Sequence, residues 1–212
     1  MNEVEIIEAA GTGAIAAWLD RHLSAASRKA AGRIAITIPG GSTPFPIIAG
    51  LVELDPGPPW SAIEVWPNDD RIVPEDHAAS NSGRMRALLE PAGARLCTLA
   101  QDREPPHFAL TWLGMGTDGH TASLFPNIDP GLDDPLAIRR VTPDPLPADA
   151  PFDRITLTLP ALLDTDAILL TLGGSTEKRA LFDAALRGGN DLPIARVLRA
   201  AKARAIAVTC FA

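Results

Sequence analysis

The chain has 212 residues, 46% of them hydrophobic and 21% charged, with a formal net charge of −7. That composition allows a full buried core in an ordinary globular protein. The negative balance argues against a nucleic-acid partner, which would call for a basic face, and means that an anionic ligand must be held by local positive potential.

The acidic opening MNEVEIIEAA lacks the basic, apolar and small-residue order of a secretory signal, and no apolar run approaches the roughly 18–20 residues of a membrane span. A cytoplasmic address with no membrane partner is expected. Residues 4–7 read as a short edge strand. Residues 12–31 carry Ile15, Trp18, Leu19 and Leu23 at helical spacing, with Gly32 as a stop. Residues 33–38 form a β-branched strand, followed by a Gly-rich turn and a helix over 45–54. A strand at 63–66, a polar loop and a helix over 77–89 come next, then strands at 96–99 and 108–113. Residues 127–151, rich in Pro and Asp, read as a long surface excursion with a strand near 138–141. Strands at 155–159 and 167–172, a helix over 175–186 and a closing strand at 203–209 complete the chain. The repeated alternation predicts one α/β domain over 1–212, Rossmann-like, with a mostly parallel central sheet and helices on both faces. Cys97 and Cys210, far apart and without CxxC spacing, read as two buried thiols in a reducing compartment.

Four segments carry candidate chemistry, each placed just after or before a strand. Gly40, Gly41, Ser42 and Thr43 follow a strand and open a helix. Glycines let the backbone approach a ligand, and the unpaired N–H groups of a helix start favour a phosphate or carboxylate. A Ser or Thr there also serves as a plain N-cap. The segment is not the nucleotide P-loop, since GxxxxGK[ST] occurs nowhere in the chain. A faint dinucleotide fingerprint at 11–16 fails as well, because the following strand ends Ile36-Thr37-Ile38-Pro39 without an acidic residue. Asp69, Asp70 and Arg71 come just after a strand. They suit either ligand orientation or a structural ion-pair cluster, and Arg71 can make paired hydrogen bonds to a phosphate.

The segment TDGHTASLFP at 117–126 follows the strand 108–113 and the turn Gly114-Met115-Gly116. In open α/β sheets ligands sit beyond the carboxyl ends of the strands, so His120 is placed to exchange protons near neutral pH, or else to cap the next helix. Asp118, two residues earlier, either orients that imidazole or caps the turn. The turn Gly173-Gly174-Ser175 opens another helix, whose first-turn Lys178 is either a second cation for an anion or a surface lysine. Arg154, just before a strand, has the same status.

Together these segments resemble the 6-phosphogluconolactonase family. The resemblance is carried by IPGGSTP at 38–44, DDRIVPxxHxxSN at 69–81, LGMGTDGHTASLFP at 113–126, RITLTLPAL at 154–162 and GGSTEKRALF at 173–182. It implies the Rossmann-like fold shared with glucosamine-6-phosphate isomerases. It also implies hydrolysis of 6-phospho-D-glucono-1,5-lactone, in the oxidative pentose phosphate pathway, with no metal or organic cofactor. On that resemblance His120 is the acid/base residue, with Asp118 beside it. Gly40, Gly41, Ser42, Thr43, Arg71 and Lys178 belong to the phosphate end, with Asp69 and Arg154 as further substrate-binding candidates. The expected partner is the small sugar phosphate lactone, bound by a monomer or weak homodimer. Two departures stand out. The usual Asp-Glu-Arg is Asp69-Asp70-Arg71, one methylene shorter at its middle acid, and the connections around 95–106 are abbreviated. A sugar-phosphate isomerase or deaminase is the alternative enzyme, and a non-catalytic sugar-phosphate sensor the alternative of another class.

Overall fold

In the computed structural model, which describes residues 4–128, 130–147 and 150–212, the apolar runs assemble into a seven-stranded sheet. Its spatial order is β1 (Glu5–Ile7), β10 (Ala207–Phe211), β9 (Ala167–Thr171), β6 (Phe108–Gly114), β2 (Ile34–Ile38), β3 (Ile63–Pro67) and β5 (Arg95–Leu96), with every pair parallel. β2 and β9 are buried along their whole length, which explains why IAITI and AILLT are unbroken apolar or β-branched runs. Strand alternation divides the core. Ile168 and Leu170 pack on one side of the sheet, and Ala167 and Leu169 on the other.

Helices α1 (Thr12–Lys29), α2 (Pro44–Val52) and α3 (Asn81–Leu89) share one core, through Ile15, Leu19, Phe45, Ile47, Met85 and Leu89. The other core belongs to α4 (Leu159–Leu162), α5 (Thr176–Leu186) and α6 (Pro193–Ala203). A second, antiparallel sheet joins that side, in the order β4 (Asp69–Arg71), β8 (Arg154–Leu157), β7 (Ile138–Val141), and contributes Ile138 and Leu157 to the core. Among the described residues no helix is long and apolar enough to cross a membrane.

The mostly parallel sheet covered on both faces is the expected architecture, and several local boundaries differ from expectation. The Asp69–Arg71 segment is a strand, not a polar loop, because β8 lies alongside to pair with it. The expected strand at 155–159 begins at Arg154, belongs to this second sheet, and gives way at Leu159 to a short helix opened by Pro160. The helix expected from His77 starts at Asn81, where the Ser80 hydroxyl accepts the Gly83 N–H at 3.0 Å and caps it. The strand expected over 96–99 is confined to Arg95–Leu96. The closing strand starts at Ala207, since Ala203 still belongs to α6. α6 itself was not anticipated, although Ile194, Val197, Leu198 and Ala201 are buried at helical spacing behind a Pro at the first position. Of the expected excursion over 127–151, Asp129, Ala148 and Asp149 lie outside the described residues, as do Met1, Asn2 and Glu3 of the acidic opening.

Candidate active site

β2, β6 and β9 lie side by side, and the segments leaving their carboxyl ends border a cleft of about 430 Å³. Gly40, Gly41, Ser42 and Thr43 line it from the end of β2, Gly116 and His120 from beyond β6, and Lys178 from the first turn of α5. Asp69 and Arg71 enter from β4.

The two glycine turns meet. Gly41, Gly173 and Gly174 have φ of 92°, 69° and 71°, a region that L side chains rarely adopt. A Cβ on Gly173 would stand 2.9 Å from the Thr43 hydroxyl oxygen, so the close approach itself requires glycine. The N–H groups of Gly41, Ser42 and Thr43 make no hydrogen bond to any described residue, and the Thr43 side chain does not cap α2. Free amides at the positive end of a nine-residue helix suit an anion. The Lys178 ammonium, likewise without a hydrogen bond to the described residues, reaches the same cleft. Arg71 donates one Nη1 bond to the Ala79 carbonyl at 2.9 Å, which leaves the rest of its guanidinium for a ligand. Two cations thus supply the local positive potential that a chain of net charge −7 lacks overall.

At the other end, His120 Nδ1 lies 2.6 Å from Asp118 Oδ1, which also accepts the His120 N–H at 3.1 Å. The carboxylate is an acceptor, so Nδ1 carries the proton and Nε2 presents its lone pair. The same hydrogen bond, ahead of the cost of partial burial, holds the Asp118 carboxyl below its usual range. The ring is about one-third exposed and tilts over Phe125 with centroids 5.0 Å apart. It borders the cleft on one side and, on the other, a hollow of about 390 Å³ walled by Pro143, Pro145 and Pro147 of the excursion.

Asp69 sits deep in the cleft, where desolvation pushes its carboxyl up against the opposing effects of Ser123 and Arg71. Asp70 has a different task. Its carboxylate accepts the N–H groups of Arg71 at 2.8 Å, Asn81 at 2.7 Å and Ser82 at 2.8 Å, which locks β4 to the start of α3. The pair is therefore split between ligand cleft and structure. Among the described residues no three His, Cys, Asp or Glu side chains converge to hold a metal ion.

The sequence matches the family model described as "Glucosamine-6-phosphate isomerases/6-phosphogluconolactonase" over residues 8–96 and 89–207. The chain belongs to this family. It is 36% identical to a 6-phosphogluconolactonase of Caulobacter vibrioides over 199 residues, 82% of each chain. It is 37% identical to that of Pseudomonas aeruginosa over 195 residues, 80% of this chain and 79% of the relative. The solved 6-phosphogluconolactonase of Shewanella baltica superposes with a TM-score of 0.79 at 26% identity, covering 99% of this chain and 98% of the other. A Thermotoga maritima structure, at 22% identity and a TM-score of 0.81, shows the shared fold. The expected lactone hydrolase of this isomerase/lactonase family is thus the enzyme class of these relatives.

For this family member the cleft gathers eight of the ten residues that the resemblance assigns to the site. Asp118 stands behind His120, outside the cleft wall. Arg154 is elsewhere. It is 4% exposed on β8, and its guanidinium donates to the carbonyls of Phe152 at 2.6 Å and Ala150 at 3.0 Å, so it braces the loop before its own strand. Asn81, Ala122 and Thr171 line the cleft without having been singled out. Asn81 had a legible signal, as the residue after a Ser in N-cap position. Thr171 had only its place at the end of an apolar strand, where its hydroxyl accepts from the buried Trp112 Nε1 at 3.1 Å.

Proposed function

We propose that this chain, acting as one α/β domain over residues 1–212, hydrolyses 6-phospho-D-glucono-1,5-lactone to 6-phosphogluconate in the cytoplasm. The observation that carries the reading is the sharing of one cleft by an oriented imidazole, two cations and a set of free helix-start amides. The lactonase names of the relatives point the same way.

In this reading the phosphate lies against Gly40, Gly41, Ser42 and Thr43, with Arg71 and Lys178 as its counter-charges. Binding at that remote group fixes the ring and makes the geometry of attack frequent. Nε2 of His120 takes a proton from water as the oxygen bonds to the lactone carbonyl carbon. The ring C–O bond then breaks, and the imidazolium returns a proton to the departing ring oxygen. Asp118 holds the tautomer that makes Nε2 the base and stabilises the imidazolium that forms. Acid–base help of this kind contributes about 10²–10⁴ in rate.

The test is the rate of lactone loss with and without the protein, corrected for spontaneous opening in water, and repeated with the lactone lacking its phosphate. Turnover of the phosphorylated lactone with a much higher KM for the unphosphorylated one is expected. Absence of any acceleration would remove the reading.

A further inference from the structure

Among the described residues Asp69 is the one acidic side chain lining a cleft otherwise suited to a phosphate, so its presence there needs a reason. Its position is fixed from three sides. β8 holds its backbone opposite Thr156, the Asn81 side-chain amide donates to its carbonyl at 3.0 Å, and the buried Ser123 donates its hydroxyl to Oδ2. Ser123 is held in turn. Its N–H donates to the Thr156 hydroxyl at 3.2 Å, and that hydroxyl donates to the Leu157 carbonyl at 2.9 Å. The turn that delivers Ser123 is closed by the Leu124 N–H on the Thr121 carbonyl at 3.0 Å. Ala122 sits within it at φ 50°, so that residue faces the cleft while its neighbour turns inward.

Oδ1 of Asp69 has no hydrogen bond to any described residue. As an acceptor on a residue that lines the cleft, it can take a donor from a bound ligand. A phosphorylated sugar lactone offers ring hydroxyls between its phosphate and its carbonyl, the two ends already matched to the amide turn and to His120. We propose that Asp69 recognises one ring hydroxyl of the substrate through Oδ1, and that Ser123 is the positioning residue that holds it there. The inference deepens the lactone reading and rests on it. It makes the cleft selective for a polyhydroxylated ring over other phosphorylated esters.

The test uses phosphorylated δ-lactones that each lack one ring hydroxyl, assayed with the wild type, Asp69→Asn and Ser123→Ala. The wild type is expected to lose about tenfold or more in kcat/KM on one member of the series. Asp69→Asn is expected to show a similar loss on the parent lactone and little further loss on that member. Ser123→Ala removes the donor that holds the carboxyl group, which also faces Arg71, Asp70 and His120. It is therefore expected to lose the same discrimination between the parent lactone and that member, with Ser123→Thr restoring it. Equal losses on every member, or full discrimination kept in Ser123→Ala, overturns the inference and leaves the lactonase reading standing. A wild type inactive on the parent lactone removes both.

Discussion

The imidazole of His120 lies directly against Gly116: a Cβ built there would stand 2.2 Å from Cε1 and 2.7 Å from the Asp118 carboxylate. The same two residues are joined through the backbone, where the Gly116 N–H donates to the His120 carbonyl at 2.9 Å. The loop thus closes on itself, and only a residue without a side chain leaves room for the His–Asp pair. Gly116→Ala is expected to displace the ring while the buried core of β6 keeps the fold. A misplacement on that scale costs about 10²-fold in kcat. Steady-state kinetics with a thermal unfolding control checks this, and a fully active, normally folded variant would show that the ring does not need this seat.

Arg71 and Lys178 are expected to act on binding more than on chemistry. Replacing either with Ala should raise KM for the phosphorylated lactone by about tenfold or more, as expected for losing a charged hydrogen bond, with kcat changed little. KM for the unphosphorylated lactone should hardly move. Saturation curves on both substrates check the pair, and equal effects on the two would detach these cations from the phosphate.

Asp70 is the short member of the motif, and its three backbone bonds explain why an aspartate suffices here. Asp70→Ala strands those N–H groups in a buried place, at a cost of about 1–3 kcal/mol. Urea unfolding measures the loss. Because Arg71 and Asn81 hang on the same carboxylate, KM should rise in the folded fraction as well.

His107 offers a pH-dependent contribution far from the cleft, at the opposite end of β6. Its ring bridges Asp164 at 2.6 Å and Asp166 at 3.0 Å, and the Asp164 bond first, then the Asp166 bond, raises its pKa. A raised folded-state value means that the stabilisation is complete below the unfolded value of about 6.5. It is lost as pH rises through the higher folded value. The site is about half exposed, so the gain should stay below about 1 kcal/mol. His107→Gln is expected to lower stability at mildly acid pH and not at alkaline pH, with catalysis unchanged. Unfolding curves at the two pH values check the sign.

Much of this site was legible because its chemistry sits on short motifs at strand ends. Gly40 to Thr43, His120 and Lys178 each follow a buried apolar run, and a parallel sheet brings such ends together whatever the loops do. The second sheet was not legible, since β4 holds only three polar residues and exists because β8 lies beside it. Arg154 stands opposite the cleft residue Arg71 in that pairing, yet its guanidinium is turned to the loop carbonyls of Phe152 and Ala150, which no sequence pattern foretells. α6 had a clear apolar period and was still missed, hidden between the Asn190-Asp191 turn and the closing strand. Ser123 could not have been paired with Asp69 from the sequence, because 54 residues and a sheet crossing separate them.

The most direct measurement is steady-state hydrolysis of 6-phosphogluconolactone by His120→Ala beside the wild type, with spontaneous opening subtracted from both. A loss of about 10²–10⁴ in kcat with KM within a few-fold of wild type is predicted, as befits a proton-transfer residue. A kcat close to wild type in a folded variant would contradict the assignment of His120 as the base.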